Sequence, residues 1–439
     1  MSSQPNVVLV TTDSLRADYV YGDGADTPAH DALVDEGTVY EQAFAQGPFT
    51  TFSMPSLFTG RYPSDLQYVE FSDSTVGVAI DDEPTVTSVL RDAGYETAGF
   101  HSNPLLSNLF GFDRGFDVFD ARLPLSNTEF LPGRAKILAD KLKRVVRKHP
   151  YLPAEKLTAR GLDWLDERAG DAPFFLWLHY MDVHGPYQAK TGNAYLNKYR
   201  GERLWRKAQT QPDGLSADER QELRELYRAE VEYTDECVGR LVDGLRERGV
   251  FEETLTVVTA DHGEGFGEYG FYSHPHQCHD VLTHVPLVVH DPDGPSARVE
   301  EVVELAQIPV TVVERAGIDV PESFARDRLP TASGDGGRNL AISEADLAPA
   351  YHGSVRTPSW RYVRDDVTET ERLYDVTDPA GSETDRTDEC PDVRDDLAAA
   401  LRDHLAPPGR TVVDDGGAET AAIEDAETES RLRDLGYLE

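Results

Sequence analysis

NVVLVTT, residues 6–12, followed at once by Asp13, is the stretch that decides the fold. It is short, rich in β-branched residues and almost continuously apolar, the pattern of a parallel strand covered on both faces. Similar runs recur at Thr97–Ser102 (TAGFHS), Phe174–His179 (FFLWLH), Thr254–Ala260 (TLTVVTA) and Val285–His290 (VPLVVH). Between the third and fourth, Leu223, Tyr227, Val231, Thr234, Val238, Leu241 and Leu245 step by four and three, which predicts an amphipathic helix stopped at Gly249. Strand, helix and strand in alternation predict an α/β domain, a mostly parallel sheet with helices on both faces. Ligands bind at the carboxyl ends of such strands, so polar residues just beyond a strand become the first candidates.

Three places meet that criterion. Asp13 follows the first run, Asp261 and His262 follow the fourth, and His184 lies shortly after the third. Two carboxylates and an imidazole drawn from separate strands suit a divalent cation of intermediate hardness, such as manganese or zinc. The segment from Ser273 to His279 then places His274, His276 and His279 close together, a set of donors for an anionic group or for a second metal. Asp182, His184 and His276 are the residues that could hold that second metal.

Composition narrows the partners. Eighty acidic residues against 42 basic ones give a net charge of −38, spread along the chain, which argues against nucleic acid. Only eight of the basic residues are lysines, the balance of a halophile's protein. All lie between Lys136 and Lys207, and Lys136, Lys141, Lys143 and Lys148 cluster with Arg134, Arg144 and Arg147. Leu138, Leu142, Val145 and Val146 share one helical face there, so the segment reads as a helix docked by its apolar side, or as a basic amphipathic helix in peripheral contact with a membrane. Cys237, Cys278 and Cys390 form no paired motif, and no leader or membrane-spanning run opens the chain, so a reduced, cytoplasmic setting is expected. The catalytic part is expected over residues 1–325 and a small C-terminal α+β domain over 326–439. Its signs are an antiparallel hairpin from Trp360–Arg364 and Arg372–Val376, a helix near Val393–Leu405 and an acidic tail at Asp414–Glu429.

Six ordered segments carry a family resemblance: NVVLVTTDSLRAD, GPFTTFSMPSLFTGRYPSD, GFDRGFDVFD, HYMDVHGPY, TADHGEGFGEYGFYSHPHQCHDVLTHVPLVV and the closing RLRDLGYL. Together they resemble the sulfatase branch of the alkaline phosphatase superfamily, which implies an alkaline-phosphatase-like fold and metal-dependent ester hydrolysis. The resemblance puts the nucleophile at Thr50, with Thr51 as its rival, and the metal on Asp13, Thr50, Asp261 and His262. It gives catalytic roles to His184 and His274, with Asn103 and His276 as further substrate contacts. Sulfatases that use formylglycine carry Cys or Ser at the nucleophile position, with Pro and Arg after it; here the residues are Thr50, Phe52 and Met54. Ser14 stands where calcium-using sulfatases carry a second aspartate. Both departures resemble the threonine-using phosphodiesterases and the phosphoglycerol and phosphoethanolamine transferases. They shift the expected metal from calcium to manganese or zinc, and the expected substrate to a small-molecule, glycan or lipid phosphoester. A phosphoryl transferase to an alcohol acceptor and a non-catalytic metal-binding homologue are the alternatives.

Overall fold

The computed structural model describes residues 4–72, 75–80, 83–121, 151–188, 194–324, 326–331, 338–346, 351–377 and 384–405. The lysine-rich segment, the acidic tail and the closing RLRDLGYL lie outside the described residues.

Nine strands form the central sheet: β1 (Asn6–Thr12), β2 (Thr38–Phe44), β5 (Glu96–Phe100), β6 (Val118–Asp120), β7 (Phe174–Tyr180), β8 (Thr254–Ala260), β11 (His284–Val285), β12 (Leu287–His290) and β13 (Ala297–Glu304). The intervening β3 (Gln67–Ser72) and β4 (Thr75–Ala79), and β9 (Gly265–Phe266) and β10 (Tyr272–Ser273), are separate antiparallel pairs. The sheet runs β11-β2-β12-β8-β1-β7-β5-β6, with β13 beside β2. Its centre, β8-β1-β7-β5-β6, is parallel throughout.

The three middle strands are buried on both faces, which explains their unbroken apolar sequences. Alternate side chains serve two cores. Val7, Leu9, Phe175 and Trp177 pack with the helix Thr50–Thr59 on one side, while Val8, Val10, Leu176 and Leu178 meet Leu157, Val238 and Leu241 on the other. Each such aliphatic side chain, fully covered, contributes roughly 1.5–3 kcal/mol. The long helix behind the sheet, Ala217–Glu247, starts at a Ser216–Glu219 capping box and is followed by Gly249 at φ 69°.

The expected run Val285–His290 is not one parallel strand. Pro286, which has no N–H to give, divides it, and both pieces pair antiparallel, β11 with β2 and β12 with β2 and β8. The last part of the chain is a four-stranded antiparallel sheet, β14 (Ala341–Asp346), β15 (Tyr351–Arg356), β16 (Trp360–Asp365) and β17 (Thr370–Asp375), backed by the helix Pro391–Leu405. Two attachments, one buried and one half-buried, fix it to the larger sheet's loops. Glu344 accepts the Ser64 N–H at 2.7 Å, and Asp280 pairs with Arg356 at 3.2 Å and Arg361 at 3.4 Å.

Candidate active site

Register places the first aspartates. Thr12 lies opposite both Ala260 and Tyr180, so Asp13 and Asp261 emerge side by side. The strand ladder continues one step further, Asp13 N–H to Tyr180 O at 2.8 Å and Asp261 N–H to Thr12 O at 3.2 Å, tying both carboxylates to a rigid backbone. Ser14 makes the exit turn at φ 62°. That conformation is held by Ser14 N–H to Asp261 Oδ1 at 3.2 Å, Ser14 Oγ–H to Asp13 Oδ1 at 2.9 Å and Tyr227 O–H to Ser14 O at 2.7 Å.

Thr50 comes from the other side, at the first position of the helix Thr50–Thr59, after Phe49, whose side chain cannot cap it. The positive end of that helix faces the carboxylates. Thr50 Oγ1 is 2.9 Å from Asp261 Oδ2 and 3.3 Å from both Asp13 Oδ2 and His262 Nε2. His262 follows Asp261 on a loop that passes so close to its own return that a Cβ on Gly263 would lie 2.1 Å from Val281 O, which requires glycine there.

The imidazoles expected from sequence partly converge. His274 lies with ring centroids 4.8 Å from His262 and 5.0 Å from His184, and it stacks on Phe49 at 5.4 Å. His276 sits edge-on to Phe49 and Phe52. His279 does not join them: it stacks on Tyr269 at 3.9 Å, on the side of the C-terminal sheet. Asn103 is turned towards the carboxylates, giving Nδ2–H to Asp13 Oδ2 at 3.0 Å while its oxygen accepts the Leu105 N–H at 2.9 Å. The second metal set does not assemble. Asp182 caps a helix start through the Ala154 N–H at 2.8 Å, and among the described residues no second group of His, Cys, Asp or Glu donors converges on one point.

Two residues were missed. His179, the penultimate residue of β7, lies with Nε2 3.5 Å from Asp13 Oδ2. Its signal was present, a histidine closing an otherwise apolar strand at the carboxyl end. Glu264 is fully buried, accepts Tyr187 O–H at 2.8 Å and faces His274 Nδ1 at 3.5 Å. Nothing in a glycine loop announces such burial.

The electrostatics are those of a cation site. Asp13, Asp261 and His179 each offer one donor atom, all within 4.8 Å of one another and fully buried, a donor set that fits a divalent metal. Burial and the neighbouring Asp13 push the Asp261 carboxyl well above its usual range. Burial acts on Asp13 in the same direction, but His184, His179 and His262 outweigh it and hold Asp13 far below that range. Two carboxylates in such contact cannot both ionise cheaply without a positive charge between them. Burial also depresses the histidines, His274 to about 3 and His276 to about 4, so both are neutral at pH 7.

A parallel sheet with metal-type carboxylates at its carboxyl end and a hydroxyl against them defines an ester hydrolase of the alkaline phosphatase superfamily. Residues 5–318 match the Sulfatase family, and the chain belongs to it. It is 24% identical to the uncharacterized sulfatase YidJ of Escherichia coli over 92% of this chain and 87% of that one. It is 27% identical to human iduronate 2-sulfatase over 67% of this chain and 61% of that one. Among solved structures, the phosphonate monoester hydrolase of Agrobacterium radiobacter superposes with a TM-score of 0.69 at 20% identity, covering 92% of this chain and 96% of that one. A 2-O GAG sulfatase superposes with a TM-score of 0.72 at 17% identity, covering 92% of each.

Proposed function

We propose that this sulfatase-family hydrolase acts on phosphate esters, phosphodiesters or phosphonates in preference to sulfates, through a covalent ester on Thr50. The observation that carries the reading is the position of Thr50 Oγ1 at a helix N-terminus, 2.9 Å from Asp261 and 3.3 Å from Asp13 and His262.

Asp13, Asp261 and His262, with Thr50 Oγ1, would hold one divalent metal. A set with an imidazole, and with Ser14 where a second aspartate would serve calcium, favours manganese or zinc. When bound, the metal lowers the pKa of the hydroxyl and offsets the charge of the carboxylates and of the ester. Thr50 Oγ1 then forms the new bond to phosphorus as the bond to the ester oxygen breaks, and the hydroxyl proton ends on the departing alcohol. Water repeats the displacement and restores Thr50. His184 and His274 face the same space. Burial holds both below their usual range, and an arriving dianion favours their protonated, hydrogen-bond-donating forms. Asn103 keeps Asp13 in position.

The preference for phosphorus follows from what threonine lacks. A formylglycine hydrate releases sulfate by eliminating it from a carbon that bears a second hydroxyl, so sulfur is never attacked by water. Thr50 has one hydroxyl, and a threonine sulfate would require displacement at sulfur. A phosphoryl group is displaced in line, and its larger charge gains more from a dication and nearby histidines. Comparing kcat/KM for 4-nitrophenyl phosphate, bis(4-nitrophenyl) phosphate, 4-nitrophenyl phenylphosphonate and 4-nitrophenyl sulfate, in high salt with manganese or zinc, tests this. A sulfate preference of about tenfold or more, some 1.4 kcal/mol in the barrier, contradicts it.

A further inference from the structure

Two buried imidazoles face the aspartates, and their hydrogen bonds hold them in opposite tautomers. His262 Nδ1 is 2.8 Å from Gly263 O. A carbonyl only accepts, so Nδ1 carries the proton, and Nε2, 3.6 Å from Asp13 Oδ1 and from Asp261 Oδ2, presents a lone pair to the carboxylates. His179 is arranged the other way. The Trp177 indole N–H, which can only donate, points at Thr11 Oγ1 at 3.0 Å, and Thr11 Oγ1 is 2.8 Å from His179 Nδ1. Thr11 is fully buried, and among the described residues its hydroxyl has no other acceptor in reach. The Thr11 hydrogen therefore goes to His179 Nδ1. With Nδ1 accepting, the ring's N–H is at Nε2, which lies 3.5 Å from Asp13 Oδ2.

We propose that His179 is a positioning residue, whose Nε2–H holds the Asp13 carboxylate, and that the cation takes its imidazole from His262 and not from His179. The inference rests on Asp13 and Asp261 being metal ligands. Ligation by His179 would require a lone pair on Nε2 and a proton on Nδ1. Thr11 Oγ1 would then receive two hydrogens while its own O–H stayed buried without an acceptor, the costly arrangement for a hydroxyl. In the assigned direction Trp177 donates to Thr11 and Thr11 to His179, and the His179 Nε2–H is left facing Asp13 Oδ2 at 3.5 Å, longer than a hydrogen bond, with no other partner among the described residues. Asp13 Oδ2 is then faced by two donors from two strand ends, Asn103 Nδ2 bonded at 3.0 Å and His179 Nε2 at 3.5 Å.

The tautomer is read directly by nitrogen-15 NMR of the metal-free protein labelled at histidine, the His179 signals being those lost in His179→Gln. A protonated Nε2 and an unprotonated Nδ1 are expected; the reverse overturns the proposal. Equilibrium dialysis with Mn²⁺ gives the second readout. His179→Gln keeps an N–H where Nε2 stood and should bind within about threefold of wild type, whereas His179→Leu, which offers neither donor nor ligand, should lose about tenfold or more. Equal losses in the two variants would mark His179 as a ligand and overturn the assignment. Should wild type bind no Mn²⁺, the metal reading itself fails, and the tautomer measurement still decides whether His179 donates to Asp13.

Discussion

His279 offers a quantitative test of how the fold handles acid. It lies flat on Tyr269, with the ring planes 8° apart, and burial, then the Arg361 guanidinium, depress it from 6.5 to about 3. A histidine depressed in the folded state stays neutral there while the unfolded chain takes up a proton. Its contribution is therefore intact above about pH 6.5 and is lost as pH falls towards 3. At about pH 4.5 the unfolded form is favoured by two pH units of proton uptake, about 2.7 kcal/mol at 1.36 kcal/mol per unit. His279→Phe keeps an aromatic ring against Tyr269 and removes the titration. At about pH 7.5 its stability differs from wild type only by repacking, on the order of 1–2 kcal/mol. Between about pH 7.5 and 4.5, in high salt, the variant should lose about 2.5 kcal/mol less than wild type by urea denaturation. His274 and His276 titrate in both proteins and cancel in the comparison. Parallel stability profiles, with a constant offset over that range, would show that His279 protonates normally in the folded protein and would refute the reasoning.

Three further outcomes are expected. Thr50→Ala should lower kcat by at least about a thousandfold with the circular dichroism unchanged, because it removes the reacting hydroxyl and only one methyl of buried volume; activity within about tenfold of wild type would exclude Thr50 as nucleophile. Asp261→Asn should reduce bound metal and rate together, as measured by elemental analysis after dialysis, and a full equivalent retained would exclude Asp261 as a ligand. The charge of −38 should make the fold depend on salt, with structure regained as screening tightens from about 10 Å at 0.1 M to about 3 Å at 1 M. An unchanged melting temperature in dilute buffer would contradict it.

Much of the architecture was legible because central parallel strands are the least ambiguous text a sequence contains. NVVLVTT and TLTVVTA coincide with β1 and β8 residue for residue. Once those strands are neighbours, the residues beyond them must meet, which is why Asp13, Asp261 and His262 could be grouped beforehand. Less was legible at the sheet's other end. β2 and β13 carry charged residues among their apolar ones, Glu41 in the first and Glu300 and Glu301 in the second, so neither reads as a buried run. Pro286 was visible, yet its consequence depends on which neighbours claim the strand. In the site, attention to positions after a strand passed over His179, which is still inside one. Asn103 was singled out by place, and only the folded geometry shows that its Nδ2–H meets the Asp13 carboxylate while its oxygen accepts the Leu105 N–H.

The ion pairs of Asp280 bear on how a protein like this can be taken apart. Asp280 opens the short helix Asp280–Thr283 directly after the histidine segment, and it is held by two guanidiniums of the C-terminal sheet. Burial would raise its carboxyl, but Arg361 and Arg356 keep it at about 2. A chain cut near residue 325 would therefore lose more than an appendage. It would strip the half-buried Asp280 of both its guanidinium partners and open it to water, at the foot of the segment that carries His274 and His276. Grafting a foreign C-terminal sheet would meet the same obstacle unless residues 269–284 moved with it. As a unit of exchange, the histidine segment belongs with the small sheet, although the chain delivers it from the large one.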